Sequence, residues 1–112
     1  MAEVQTVNEA TPKFLYKILS KKDWEESQKQ GNVKLDAADD AFIHFSREDQ
    51  LERITGKYWA GIPEYYILKI DTEQLPGRMA FETNPGGSAK YYHLYNGSIP
   101  VTAVIDAKCI KR

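Results

Sequence analysis

The sequence predicts an α+β domain in which two helices pack on a mainly antiparallel sheet, one open to being split. Three observations predict it. Two stretches are bracketed by helix-starting and helix-stopping residues, one between Ser20 and Gly31 and one between Ser46 and Gly61-Ile62-Pro63. Short aromatic and aliphatic runs precede, separate and follow them. The resulting order is strand, helix, strand, helix, then mostly strands.

Phe14-Leu15-Tyr16-Lys17-Ile18-Leu19 reads as the first strand. Ser20 then opens a helix over 21–30, with Asp23 at capping-box spacing and Gly31 placed to end it. Its apolar face is essentially Trp24, so the helix is expected on the surface, anchored by one indole. Residues 32–40 read as a loop and residues 42–45 as a strand. Ser46 is an N-cap for a second helix over 47–59, in which Leu51, Ile54, Tyr58 and Trp59 recur at helical spacing.

Tyr65-Tyr66-Ile67-Leu68-Lys69-Ile70 is the clearest strand. A turn follows over 72–77, marked by Pro76-Gly77. Residues 79–83 read as another strand, Asn84-Pro85-Gly86-Gly87 as a turn or loop, and 91–95 as an aromatic extended segment. The last strand is expected from about 100 to 107, where residues are small or β-branched.

At 112 residues, 42% hydrophobic and 28% charged, the chain is sized for one domain with one modest core. Residues 1–12 are expected to be a loose tail and 13–112 the folded unit. Seven Tyr, four Phe and two Trp can fill that core, but the tyrosine hydroxyls need partners. A net charge of −1, with both signs mixed along the chain, argues against a broad nucleic-acid surface. It leaves room for a small phosphate pocket of one or two local donors. The single cysteine, Cys109, cannot pair internally, which fits a reducing cytoplasm. No apolar stretch is long enough to span a bilayer, and the N-terminus lacks a signal-peptide pattern.

Chemistry centres on the two histidines. In Phe42-Ile43-His44-Phe45-Ser46, alternation puts Phe42, His44 and Ser46 on one face of the strand. An imidazole and a hydroxyl facing one space can hold a ribose or phosphate oxygen, and His44 can move a proton. For Ser46 alone, capping is the simpler role. His93 and Tyr95 face together in the second aromatic segment, after a Gly-containing loop over 84–88 that can act as a lid. They line a cleft or close the core, with equal weight. Glu82 can orient an imidazole or stabilise a developing cation, although a lone strand-end glutamate is usually a solvated charge.

Other chemistries lack their residues. No phosphate-loop or dinucleotide fingerprint is present, and no ligand spacing supports a metal. Cys109 follows the expected last strand without a local base, so no nucleophile role is expected. A two-histidine phosphoesterase pattern fits His44-Phe45-Ser46 but breaks at His93-Leu94-Tyr95.

The chain resembles the bacterial family catalogued as domain of unknown function 952, from about residue 16 to 107. The carriers are Tyr16-Lys17-Ile18-Leu19 followed by Trp24, Phe42-Ile43-His44-Phe45-Ser46 before a glutamine-containing helix, Leu68-Lys69-Ile70-Asp71, Phe81-Glu82, and His93-Leu94-Tyr95-Asn96-Gly97 leading to Ile99-Pro100. The resemblance implies a fold similar to the ADP-ribosyltransferases, a split sheet clasping a nicotinamide dinucleotide. It implies that His44 holds a ribose hydroxyl and Ser46 helps seat the nicotinamide. Tyr95, Tyr91 or Tyr58 would stack on that ring, and a glutamate would stabilise the ribosyl cation. No glutamate opens the final strand, where Ser98-Ile99-Pro100-Val101 stands, and Glu82 is the candidate to serve that role from another position.

The leading expectation is therefore a nucleotide-sized cleft around His44, Ser46, Glu82, His93 and Tyr95. It would take NAD, without a metal, and act at the nicotinamide–ribose bond. A non-enzymatic module that binds a nucleotide or a protein is the competing expectation. In a third, both histidines belong to a structural core.

Overall fold

The computed structural model describes residues 11–35, 39, 42–83, 86–87 and 89–111, and the expected tail lies outside them except for Thr11 and Pro12. Strand β1 (Phe14–Ser20) leads into helix α1 (Lys21–Gln30), then strand β2 (Ile43–Phe45). A 3-10 turn at Glu48–Gln50 precedes helix α2 (Leu51–Tyr58). Strands β3 (Glu64–Asp71), β4 (Arg78–Thr83), β5 (Lys90–Tyr95) and β6 (Val104–Lys111) complete the chain. They form two three-stranded antiparallel sheets, ordered β1-β3-β6 and β2-β5-β4. The described residues are thus α+β, mainly antiparallel, with two α-helices.

Two backbone hydrogen bonds join the sheets. Tyr16 N–H donates to the Ser46 carbonyl at 2.8 Å, and Ser46 N–H donates to the Tyr16 carbonyl at 2.9 Å. The last residue of the His-Phe-Ser run is therefore the hinge point between sheets. This corrects the expectation that Ser46 caps a helix. Its backbone is already committed to Tyr16, and the next turn is secured by Gln50, whose Oε1 accepts from Arg47 N–H at 2.9 Å.

Helix α1 follows its sequence signals. Ser20 Oγ accepts from Asp23 N–H at 3.1 Å. Gly31 takes φ 86° and donates to the Ser27 carbonyl, which few side-chain-bearing residues do without strain. Trp24 is the apolar anchor, buried and 6.3 Å from the Tyr66 ring. The core gathers Leu15, Leu19, Leu68 and Ile70 from the first sheet with Ile43, Phe45 and Leu94 from the second, plus Val33 and Ile99 from connecting segments.

Two boundaries differ from expectation. The last strand begins at Val104 and runs to Lys111, because 101–103 turn as a 3-10 segment and the chain then pairs along the whole of β3. Cys109 consequently sits inside this strand opposite Tyr66, with Sγ 3.4 Å from Glu64 Oε2, a neighbour that local sequence does not supply. Helix α2 is shorter than expected, and none of its residues is buried. Its apolar residues roof a space instead of entering the core.

The turns that close the second sheet demand glycine. Gly77 has φ 101°, and a methyl there would lie 2.5 Å from the Tyr95 carbonyl oxygen. A methyl on Gly97 would collide with the Pro76 carbonyl oxygen and the Leu94 side chain. Gly97→Ala is expected to cost on the order of 1–3 kcal/mol, the usual effect of forcing extra atoms into a closed contact. Urea denaturation at pH 7 reads it, and the α1 variant Gln28→Ala is the control without such a contact.

Candidate functional site

A cleft of about 600 Å³ opens where the two sheets meet. Its walls are Tyr16, Lys17 and Ile18 of β1, His44 and Phe45 of β2 with Ser46, one face of α2, and residues Gly86, Gly87, Ala89 and Tyr91 leading into and along β5. Helix α2 is held over it from both ends. At its leading end, Gln50 Nε2 donates to the Lys90 carbonyl at 2.8 Å, which ties the turn to the second sheet. At its trailing end, the Trp59 ring lies 5.2 Å from Tyr65 of the first sheet. Between those fastenings Arg53, Ile54, Lys57 and Tyr58 face the space.

On the opposite wall stands a buried polar group. Asp39 is only 7% exposed, yet it carries a charge. Burial alone would oppose ionisation, but hydrogen bonds from His44 and the charge of Lys17 outweigh it, and its pKa is lowered to about 2. One carboxylate oxygen, Oδ1, accepts from the His44 backbone N–H at 3.0 Å and sits 3.1 Å from His44 Nδ1. The other, Oδ2, lies 3.1 Å from Lys17 Nζ, which also donates to the His44 carbonyl at 3.0 Å. Because an ionised carboxylate only accepts, the proton of a neutral His44 ring is on Nδ1. That leaves Nε2 with a lone pair, on a side chain 33% exposed in the cleft wall. A carboxylate that fixes tautomer and ring orientation in this way also stabilises the imidazolium once a proton is taken. Tyr16 adds a donor: burial, then the charges of Glu48 and Asp106, raise its pKa and keep the phenol protonated.

The histidines are neighbours, as expected, but they do not share the hollow. His44 and His93 pair directly across β2 and β5, with ring centroids 5.2 Å apart and edge-on. His93, however, is fully buried, because Phe42 stacks over it at 4.1 Å. Its Nδ1 is 2.8 Å from Glu82 Oε2, and Tyr95 donates its hydroxyl to the same oxygen. Those bonds, Tyr95 first and then His93, lower the Glu82 pKa, while the carboxylate raises that of Tyr95. Glu82, His93 and Tyr95 thus form one hydrogen-bonded network, with the Glu82 side chain still 39% exposed, and none of them lines the cleft.

The expected site accordingly divides. His44 and Ser46 line the cleft, whereas Glu82, His93 and Tyr95 do not. Among the tyrosines considered for stacking, Tyr58 and Tyr91 reach it. Of the expected lid, Gly86 and Gly87 line the cleft, and Asn84, Pro85 and Ser88 lie outside the described residues. Among those residues, no group of three or more His, Cys, Asp or Glu is placed to hold a metal. No helix among them is long and apolar enough to cross a membrane.

Sequence reasoning missed Lys17, Asp39, Arg53 and Lys57. Lys17 did carry a signal: it alternates with Leu15 and Leu19 on the buried face of β1, where a lysine requires a partner. Arg53 and Lys57 are four residues apart and share a helix face with the apolar set that was recognised. Asp39 lies five residues before His44, but its burial as a charged partner also depends on Lys17, 22 residues away.

Comparison with known proteins agrees with this architecture. The crystal structure of protein CC0527 from Caulobacter crescentus is similar at 31% identity, over 86% of this chain and 84% of that one, with a TM-score of 0.73. The solution NMR structure of CC0527 is similar at 30% identity, over 87% and 84%, with a TM-score of 0.72. No curated protein matches the chain. The pattern of the family described as "Protein of unknown function (DUF952)" matches residues 18–107. Matched over most of its length, the chain belongs to the DUF952 family.

Proposed function

We propose that the cleft binds a nucleotide, with NAD as the candidate ligand and His44 as the acid–base group that meets it. The observation that carries this reading is the Lys17–Asp39–His44 assembly, which presents one imidazole nitrogen of fixed tautomer to a cleft of nucleotide size. Tyr58, which is 61% exposed, offers a ring, and Ser46 lies beside His44 in the cleft wall. Two sheets joined at Tyr16 and Ser46 suit an ADP-ribosyltransferase-like reading of the fold, and the His44-Phe45-Ser46 run supports the same reading.

In the catalytic version, the bond between ribose C1′ and the nicotinamide nitrogen breaks, and nicotinamide leaves with the bonding pair. Oxygen from water or an acceptor hydroxyl bonds to C1′, and its proton passes to His44 Nε2. Asp39 holds the imidazolium that results. Incubation with NAD should release nicotinamide, and His44→Ala should lower the rate by about 100-fold or more, the usual contribution of a positioned acid–base group. Absence of both nicotinamide release and any thermal shift with NAD would sink the proposal.

One observation favours a second reading, binding without turnover. Glu82, the carboxylate expected to stabilise a ribosyl cation, is engaged by His93 and Tyr95 away from the cleft. Asp39, the carboxylate in the wall, is offset by Lys17. Saturable NAD binding with the ligand recovered intact would select this version.

A further inference from the structure

The cleft concentrates positive charge in a chain whose net charge is −1. Among the described residues, Lys17, Arg53 and Lys57 line it with Asp39 as the one carboxylate. Lys17 is accounted for by its ion pair with Asp39. Arg53 and Lys57 make no ion pair with any carboxylate among the described residues, although the chain has 16 acidic side chains. They sit one helical turn apart on α2, where like charges repel and weaken the helix by a few tenths of a kcal/mol. Placing two unneutralised cations on the one face of α2 that overlooks a cavity is unfavourable for the empty protein. An anion between them removes that cost.

We infer, resting on the reading of the cleft as a ligand site, that Arg53 and Lys57 form a phosphate subsite. It fixes the ligand's direction, with its phosphate at α2 and its hydroxyl-bearing sugar at His44. The chemistry of the pair fits a phosphate more closely than a carboxylate. A guanidinium presents two parallel N–H donors to two phosphate oxygens, and an ammonium adds a point charge to a third. Across the cleft, Gly86 and Gly87 present backbone without side chains to fill the space. Tyr58 is 61% exposed at the cleft mouth, with the Lys57 ammonium 5.2 Å from its ring centroid. A base or nicotinamide ring stacked there keeps its attached phosphate within reach of both cations.

Trp59 lines the cleft, so its fluorescence reports occupancy alongside thermal shift. The probes are adenosine, AMP, NAD, inorganic phosphate and inorganic pyrophosphate. They are tested on the wild type, on Arg53→Gln/Lys57→Gln, and on Lys108→Gln/Lys111→Gln as a charge-matched control on β6. AMP and NAD should bind the wild type and the control alike, and should lose about tenfold or more in affinity in the α2 variant. Adenosine should bind weakly and equally to all three. Since Arg53 and Lys57 are exposed and make no ion pair among the described residues, the unliganded α2 variant should melt no lower than the wild type. Pyrophosphate bound as tightly as AMP would make the free anion the ligand at this subsite; AMP bound tighter would assign it to a nucleotide.

Equal affinity for adenosine and AMP, or undiminished AMP binding by the α2 variant, overturns the subsite. If NAD still binds in that case, the reading of the cleft survives without it. If AMP or pyrophosphate binds through Arg53 and Lys57 while NAD neither binds nor is cleaved, the NAD reading fails and the subsite stands. Binding of none of the probes overturns both.

Discussion

Asp39→Ala is expected to destabilise the protein by about 3–5 kcal/mol, the range for removing one partner of a buried ion pair. A domain of this size has only about 5–15 kcal/mol in total. The loss is large because Asp39 serves three donors at once. Without it the Lys17 ammonium, 9% exposed, has no counter-charge, and His44 loses the acceptor for both its backbone N–H and its ring. The double variant Lys17→Met/Asp39→Leu should recover much of the stability, because an apolar pair of similar volume carries no desolvated charge. It should not recover ligand binding, since the His44 ring stays unoriented. Denaturation midpoints and ligand titration of the three proteins separate the two effects.

The same carboxylate sets a pH dependence. Its pKa falls from 3.8 in the unfolded chain to about 2 in the folded protein, so the folded state favours the charged form. The stabilisation is fully present above the unfolded value and is lost as pH drops from about 4 to 2. The shift corresponds to about 2 kcal/mol. Asp39→Asn should therefore flatten the acid limb of the stability curve in that window. An acid limb identical to wild type would show that Asp39 is not held as described.

The second large effect separates the two histidines. His93→Ala is expected to cost about 2–5 kcal/mol, the range for emptying a full-sized buried side chain. It removes the ring beneath Phe42 and one of the partners of Glu82. His44→Ala should cost much less stability, because the His44 side chain is one-third exposed in the cleft wall. Ligand affinity should show the reverse order, with His44→Ala the more damaging. Melting curves and NAD or AMP titrations on the same samples measure both. A His93→Ala variant that melts like wild type but fails to bind would return His93 to the site.

Much of the architecture was legible because it is written in local chemistry. Ser20, Asp23 and Gly31 specify the ends of α1 through bonds between near neighbours, and those bonds form. Alternation in Phe42-Ile43-His44-Phe45-Ser46 correctly put Phe42 and His44 on one face, since a strand has a period of two whatever it packs against. The face chosen by His93 and Tyr95 followed from the same rule. Ser46 shows where such reasoning stops. The sequence motif for a helix cap was present, but a backbone pairing with Tyr16, 30 positions earlier, used the residue first.

Fold class, the extent of α1 and the shared face of Phe42 and His44 were thus determined by the sequence itself, through rules that act over a few residues. Which acid serves which histidine, and which ring faces the cleft, was decided only by the tertiary structure. Those outcomes depend on cross-strand register, on Phe42 covering one imidazole and on a buried lysine selecting Asp39 as its partner. Each is a contact between residues distant in the chain, and burial, which fixes its energy, exists only once the two sheets have met.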